Sequence, residues 1–492
     1  MRDQRAARAL AFVTALVRWL LAAVAASFIG IYVFIALSRM PYPYALEWME
    51  GGSLEQVARI LDGQRLYIAP SIDFIPYIYT PGYFYVAAGA AWMGGAGFAT
   101  LRLVSFVASL GCFTLIFVLV RHETGRTVFG LVSAGLFAAM FGLSGGWYDL
   151  ARVDSLFMAL LLAGVVTLRL RAGSTGQAAA AALFFLSFMT KQPALIVAAA
   201  MAPAIICTRS GRSPLVFPLA LALLLVVTVA TYNAATDGWF WYYVVTLPAS
   251  HEPEWPMLRD FWSHDIAAVL SIAVVLTAVF VVSRDPRGRR VFYGALFAGL
   301  VLTAWLSRMH SGGYSNVLMP LHAALAIGAG LGLAAARDTR FETIAALACL
   351  IQFAQLSYSP TIHIPTSRDR EAGDRIVATL RTFKGDVLLP NHEYLARLAG
   401  KRTFASGMEF DDVRRSSDTR LGLELEAAMR AALEHGRFDA LLLDPTGWDG
   451  FDAEVNVSYR PERRLLDDPD LFMPRTGMPT RPNVVCVPRR GG

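Results

Sequence analysis

The sequence predicts a polytopic α-helical membrane protein that ends in a soluble α/β unit. Three observations predict it. Apolar runs of spanning length recur as far as about residue 357, Lys and Arg collect in alternate loops between them, and the composition turns polar at Ser359. A helix needs roughly 20 largely apolar residues to cross the hydrocarbon. With 55% hydrophobic and only 17% charged residues and a mean hydropathy of +0.46, this chain lacks the polar surface to enclose such runs in water.

The first run, Ala11 to Leu37, follows Arg2, Arg5 and Arg8. It exceeds a leader's apolar core, contains Arg18 and has no small-residue cleavage site, so it reads as a retained helix. The stretch from Arg39 to Gly97 is amphipathic, rich in aromatics and broken by Pro41, Pro43, Pro70, Pro76 and Pro81. Short helices on the membrane surface are expected there. Further apolar runs cover residues 99 to 120, 127 to 146, 153 to 170, 177 to 190, 193 to 207, 214 to 233, 264 to 283, 291 to 307, 317 to 335 and 341 to 357. The expectation is about eleven transmembrane helices, with Lys191-Gln192-Pro193 breaking residues 177 to 207 into two.

Alternate threading puts Arg121, Arg126, Arg169, Arg171, Arg209, Arg212, Arg284, Arg287, Arg289, Arg290, Arg337 and Arg340 on one side. Glu47, Glu50, Asp149, Asp154, His251, Glu252, Glu254 and His310 fall on the other. Because cytoplasmic loops carry the Lys and Arg, the expectation is an inner (plasma) membrane protein with a cytoplasmic N-terminus and a periplasmic C-terminal unit. The formal charge of +6 then reflects topology, not nucleic-acid binding. Cys112, Cys207, Cys349 and Cys486 are too scattered for a disulfide framework or a zinc site. The division is a membrane domain, 1–358, which includes the loop 39–97, and a soluble α/β domain, 359–492. In the latter, helices are expected at Asp374 to Phe383 and Leu421 to His435, with strands at Asp386 to Leu389 and Ala440 to Leu443. No nucleotide-binding or catalytic-triad motif occurs, which disfavours ATP-driven transport.

Chemistry-bearing residues cluster on the acidic side. Glu47-Trp48-Met49-Glu50-Gly51-Gly52 sets two carboxylates among aromatics, where burial raises a carboxyl pKa toward that of a general base; a solvated interfacial acid is the plainer account. In Trp147-Tyr148-Asp149-Leu150-Ala151-Arg152-Val153-Asp154, Asp149 and Asp154 flank Arg152. Asp154 opens an apolar run, and charge there is costly enough to suggest a functional role, although an Asp-Arg pair also caps helices. Lys191, Arg308 and His310, with Asn316 nearby, supply cations where a phosphate leaving group develops charge; each alone is equally an interfacial anchor. His251, in Pro248-Ala249-Ser250-His251-Glu252, is the weakest candidate.

The ordered series resembles the GT-C glycosyltransferases, in the branch of the protein O-mannosyltransferases and the lipid A aminoarabinose transferase. That branch has an acid in the first periplasmic loop, matched by Glu47 or Glu50. Its Tyr/Lys-Pro-Pro-like element is matched by Tyr79-Thr80-Pro81-Gly82-Tyr83, and the small-Arg-Leu start of its second helix by Thr100-Leu101-Arg102-Leu103. Asp154 matches its second acid, and Thr190-Lys191-Gln192-Pro193 its Thr-Lys-x-Pro element. The similarity covers about residues 40 to 320. It departs from the family pattern in the spacing of Glu47 and Glu50, and in Thr80, which stands where some relatives carry a phosphate-binding Lys.

The resemblance implies transfer of a hexose or pentose from a polyprenyl-phosphate donor to a hydroxyl of a lipid, glycan or protein at the periplasmic face, with inversion. Glu50, with Glu47 second, would be the general base, and Asp154 would orient a substrate. Lys191, Arg152, Arg308 and His310 would hold the donor phosphate, while Asp149, Tyr79, Tyr83, His251, Tyr314 and Asn316 would line the substrate cavity. No cofactor is required, and a divalent metal is left open. The competing readings are a lipid or sugar transporter (flippase), for which internal repeats and midplane charges would be expected, and a scaffold presenting the C-terminal unit.

Overall fold

A computed structural model of the chain describes residues 2–208, 213–283, 286–416 and 418–489, with side chains from Phe12 onward and without that of Arg287. Arg209, Arg212 and Arg284, and the side chains of Arg2, Arg5, Arg8 and Arg287, on which part of the loop-charge argument rests, lie outside the described residues.

The helices run α1 (Arg2–Arg39), α2 (Glu50–Leu61), α3 (Gly82–Gly94), α4 (Phe98–Thr124), α5 (Thr127–Ala139), α6 (Asp154–Leu170), α7 (Gly173–Phe188), α8 (Ala194–Thr208) and α9 (Val216–Ala235). The short turns α10 (Trp239–Trp241), α11 (Leu247–Ser250) and α12 (Met257–Asp260) lead into α13 (Ser271–Val282), α14 (Arg287–Met309), α15 (Met319–Ala336) and α16 (Glu342–Gln355). Among the described residues, five helices are long and apolar enough to cross a membrane. A pair bent by 88°, Met257–Ala267 with Ser271–Val282, adds a sixth. The chain is a multi-pass membrane protein.

Helix α15 forms the centre, buried along nearly its whole length, whereas α9 turns most of its apolar surface outward. The close packing of α13 on α15 depends on Gly328 and Gly332. A Cβ on Gly332 would fall 1.8 Å from the Leu276 carbonyl oxygen, and one on Gly328 would fall 2.4 Å from Thr277 Oγ1. Small residues four apart let membrane helices approach to backbone distance.

Two sequence expectations change in the structure. The run 127 to 146 is helical only to Ala139; turns follow, and Gly145 and Gly146 adopt positive φ (66° and 75°) just before the buried Trp147 and Tyr148. The loop 39–97 does form short helices, but α2 does not lie free on a membrane surface; Glu50 through Ala58 are all buried, beneath the C-terminal unit.

The bundle separates its charges by end. At one end Glu123 is held by Arg169 (3.1 Å) and Arg289 (2.8 Å), joining the ends of α4, α6 and α14. At the other, the run 177 to 207 breaks between Phe188 and Ala194, where Lys191 sits in a turn.

After Ser359 come α17 (Ser367–Thr382), β1 (Val387–Leu388), α18 (Glu393–Leu398), α19 (Gly407–Arg414), α20 (Thr419–Glu434), β2 (Ala440–Leu443), α21 (Asp452–Ser458), β3 (Tyr459–Arg464) and β4 (Val484–Pro488). The four strands form one mixed sheet in the order β1-β2-β4-β3. The β1-β2 pair is parallel, and β4 is antiparallel to both β2 and β3. A capping box starts α17, with Thr366 and Asp369 bonded reciprocally (Asp369 N–H to Thr366 Oγ1, 3.2 Å). This unit sits on the loop 39–97. Arg397 makes a bidentate pair with Glu55, Arg402 and Arg437 both reach Asp73 (2.9 and 3.0 Å), and the Arg475 N–H donates to the Leu46 carbonyl (2.7 Å).

Candidate active site

Two of the sequence motifs are built against each other. Thr80 Oγ1 donates to the Phe188 carbonyl (2.6 Å), the Gly82 N–H to that of Met189 (2.5 Å), and Gln192 Nε2 to that of Ile78 (2.6 Å). A Cβ on Gly82 would come within 2.5 Å of the Met189 oxygen. Residues 78–82 and 188–192 therefore move as one piece, and Tyr79 and Lys191 enter the same cavity.

That cavity, about 650 Å³, lies between the helix ends and the C-terminal unit. Of the residues singled out in the sequence, Tyr79, Arg152, Lys191, His310, Tyr314 and Asn316 line it. At its inner end Asp154 accepts from Lys191 Nζ (2.6 Å) and Asn316 Nδ2 (3.0 Å), so three separate motifs converge on one carboxylate. Arg152 donates to Tyr79 Oη (3.0 Å) and lies near the Trp147 and Tyr77 rings. His310 faces two carbonyl oxygens, Nδ1 toward Ser311 (2.7 Å) and Nε2 toward Pro248 (3.1 Å). A ring nitrogen that carries hydrogen can donate to either oxygen, so both edges of the His310 ring are engaged by the backbone.

The two acids of the first loop occupy different environments. Glu50 is the first residue of α2 and fully buried. It accepts from Arg102 Nε (3.0 Å), Arg102 Nη2 (2.7 Å), the Ala151 N–H (2.7 Å) and the Leu46 N–H (2.6 Å). Burial opposes ionisation, but Arg102 and these donors hold the carboxyl below the usual range. Four donors leave Glu50 no free lone pair to take a proton; neither it nor Glu47 is part of the cavity lining itself. Glu50, expected from the sequence as the base, is instead tied to Arg102.

Glu47 precedes the helix and is turned toward Arg152, 3.8 Å away. It is fully buried, with the Arg152 guanidinium and the Met49 backbone N–H as its partners. Burial first, then the negative charge of Glu50, pushes its pKa up to about 8 against the pull of Arg152. It sits just behind the wall formed by Trp48 and Arg152, and the segment Thr476-Gly477 of the C-terminal unit packs on it, with a Gly477 Cβ position 3.1 Å from Glu47 Oε1.

Four other sequence candidates stand apart from the cavity. Asp149 is locked to Arg39 (Nε to Oδ2, 2.7 Å) in a fully buried pair. Tyr83 is buried and donates to the Leu101 carbonyl (3.1 Å). Arg308 is bound to Asp265 (3.0 Å) and the Gly313 carbonyl (2.5 Å), which fixes the turn carrying Tyr314. His251 lies behind the wall, its ring 5.2 Å from that of His310 and its Nε2 3.7 Å from Asp412. Conversely, Arg39 and Arg102 have structural roles that sequence reading missed, although both end or begin an apolar run and charge there requires a partner. Met408, Asp411, Asp412, Arg414, Arg415 and Asp449 of the C-terminal unit also line the cavity; no local motif marks them. Among the described residues, no group of three or more His, Cys, Asp or Glu side chains is placed to hold a metal ion.

No protein-family model and no curated protein sequence matches the chain. Solved structures do. ArnT from Cupriavidus metallidurans bound to undecaprenyl phosphate superposes with a TM-score of 0.61 at 13% identity, over 94% of this chain and 97% of that one. Its apo form gives 0.60 at 11% identity, over the same shares. The arabinofuranosyltransferase AftD from Mycobacteria gives 0.51 at 13% identity, over 96% of this chain but only 40% of its own length.

Proposed function

The chain has the GT-C fold of membrane glycosyltransferases, and from that premise we propose that it moves a glycosyl group from a polyprenyl-phosphate donor to an acceptor hydroxyl at the extracytoplasmic membrane face. The observation that carries the reading is Glu47, a fully buried carboxylate 3.8 Å from Arg152, which itself lines a cavity with Lys191 and His310. One carboxyl poised to take a proton stands next to cations suited to a departing phosphate. A solved structure of the same fold, ArnT, carries undecaprenyl phosphate.

In the proposed step Glu47 removes the acceptor hydroxyl proton as that oxygen attacks the anomeric carbon. The bond from that carbon to the phosphate oxygen breaks, and its electron pair leaves on the polyprenyl phosphate. Arg152 and Lys191 balance the growing charge, with His310 beside them in the cavity. Asp154 does not touch the reacting atoms; it positions Lys191 and Asn316. The sugar is a hexose or pentose, and no nucleotide takes part because the lipid phosphate is the leaving group.

The pH profile tests the base. With its pKa near 8, Glu47 is mostly protonated at pH 7, so the rate constant rises with pH and levels off above about 8. A rate flat from pH 6 to 9, or falling through 8, contradicts the assignment.

The same reading assigns 1–358 as the catalytic domain, spanning about eleven times in an inner membrane once the shorter helices are counted, and 359–492 as a periplasmic domain. Impermeant thiol labelling from the periplasm is expected to modify a cysteine introduced at Asp449 and to spare one at Gly288. The reverse pattern overturns the orientation.

A further inference from the structure

We propose that the cavity wall supplied by the C-terminal unit is an acceptor subsite for a carbohydrate, so that the hydroxyl glycosylated belongs to a glycan; this rests on the transfer reading above. The wall lies where an α/β unit binds its ligands. The segments that follow the parallel strands β1 and β2 are Leu389–His392, against which α19 packs through the Gly407 N–H and the Pro390 carbonyl, and Asp444–Gly450. The carboxyl edge of parallel strands is the usual crevice for ligands in such sheets, and here it faces the cavity through α19 and Asp449.

The chemistry of the wall fits hydroxyl pairs. Asp411 is paired with Arg414 (3.0 Å) and Asp412 with Arg415 (3.2 Å), while Asp449 is exposed. Carboxylates and guanidinium groups present two acceptors or two donors in a plane, which matches neighbouring hydroxyls on a sugar ring. Charges nearly balanced within the wall favour a neutral polyol there over a second anion. Across the cavity, Trp147 and Tyr314 stack at 22° and Trp48 lies beside them, an aromatic surface for the C–H face of a sugar. The His251 side chain is buried and backs Asp412, its Nε2 3.7 Å from that carboxylate.

The alternatives fit less well. An extended peptide is bound by adding a strand to a free sheet edge, and no residue of β1 to β4 lines the cavity. A glycerolipid would place its acyl chains against five ionisable side chains.

The test uses the full chain in phosphatidylcholine nanodiscs on an array of immobilised oligosaccharides, Ser/Thr peptides and glycerolipids. Undecaprenyl phosphate is titrated in parallel by tryptophan fluorescence. The expected result is retention on oligosaccharides that weakens about ten-fold or more in Asp449→Asn and in Arg414→Gln, the loss expected for a charged hydrogen bond, with undecaprenyl phosphate affinity unchanged. Because Asp449 is exposed, its variant is read without concern for folding. Retention on peptides or glycerolipids alone, retention on nothing, or oligosaccharide binding indifferent to both variants overturns the subsite. Oligosaccharide binding with no affinity for undecaprenyl phosphate instead counts against the transfer reading.

Discussion

Glu47→Gln lowers sugar transfer by about 10²- to 10⁴-fold, the contribution of a general base, while the yield of folded protein and its thermal midpoint stay as in the unsubstituted chain. The two outcomes together make the test specific. At pH 7 the Glu47 carboxyl is mostly protonated because burial has raised its pKa to about 8. Glutamine is therefore close to the resting state in both shape and charge. What it lacks is the ability to take a proton when the acceptor oxygen attacks. The measurement is release of polyprenyl phosphate from a polyprenyl-phosphate sugar donor, alongside a thermal unfolding scan. Activity within a few-fold of the parent removes Glu47 from the mechanism.

Arg102→Met produces the opposite pattern, loss of the fold before any specific loss of activity. Arg102 is fully buried; besides its two bonds to Glu50 it donates to the carbonyls of Arg39 (3.3 Å), Tyr42 (2.6 Å) and Tyr44 (2.6 Å). The substitution strands a buried carboxylate and three carbonyls together. Removing one partner of a buried pair costs about 3–5 kcal/mol, and here the loss falls on the segment Arg39–Glu50 that aims Glu47. The expected observation is a much lower yield of monodisperse protein and a lower thermal midpoint. A stable, fully folded Arg102→Met protein would show that the pair with Glu50 does not support the first loop.

These contrasting outcomes explain why the base was ambiguous in the sequence. Glu47 and Glu50 are three residues apart, which on one continuous helix puts both on the same face. In the structure α2 begins only at Glu50, after Met49, and Glu47 lies in the preceding turn. Their side chains diverge, one toward Arg102 and the other toward Arg152. Only the point where the helix starts separates the environments of Glu47 and Glu50, and no side-chain cap marks it. The convergence of Asp154, Lys191 and Asn316 was more legible, because each sits at the end of an apolar run where an isolated charge or amide would be costly.

The C-terminal unit was legible where it is buried. Ala440–Leu443, buried at every position, is the strand expected there. Tyr459–Arg464 reads Tyr-Arg-Pro-Glu-Arg-Arg and was missed; it is an edge strand with only Tyr459 buried, and its pairing with β4 provides what its composition does not. Nor does local pattern reveal that α19, more than 250 residues after Arg152, closes the same cavity. The C-terminal unit reaches it by sharing one apolar core with the loop 39–97, with ion pairs at Glu55 and Asp73 around it, all distant from α19 in sequence.

The account's central claim is a single direct displacement on a polyprenyl-phosphate sugar inside this cavity. It is tested most directly by supplying a donor of defined anomeric configuration to the purified chain and reading the product's anomeric configuration by NMR as polyprenyl phosphate is released. Inversion, with one polyprenyl phosphate freed per sugar transferred, is the predicted result; retention of configuration, or no release from any such donor by folded protein, would contradict it.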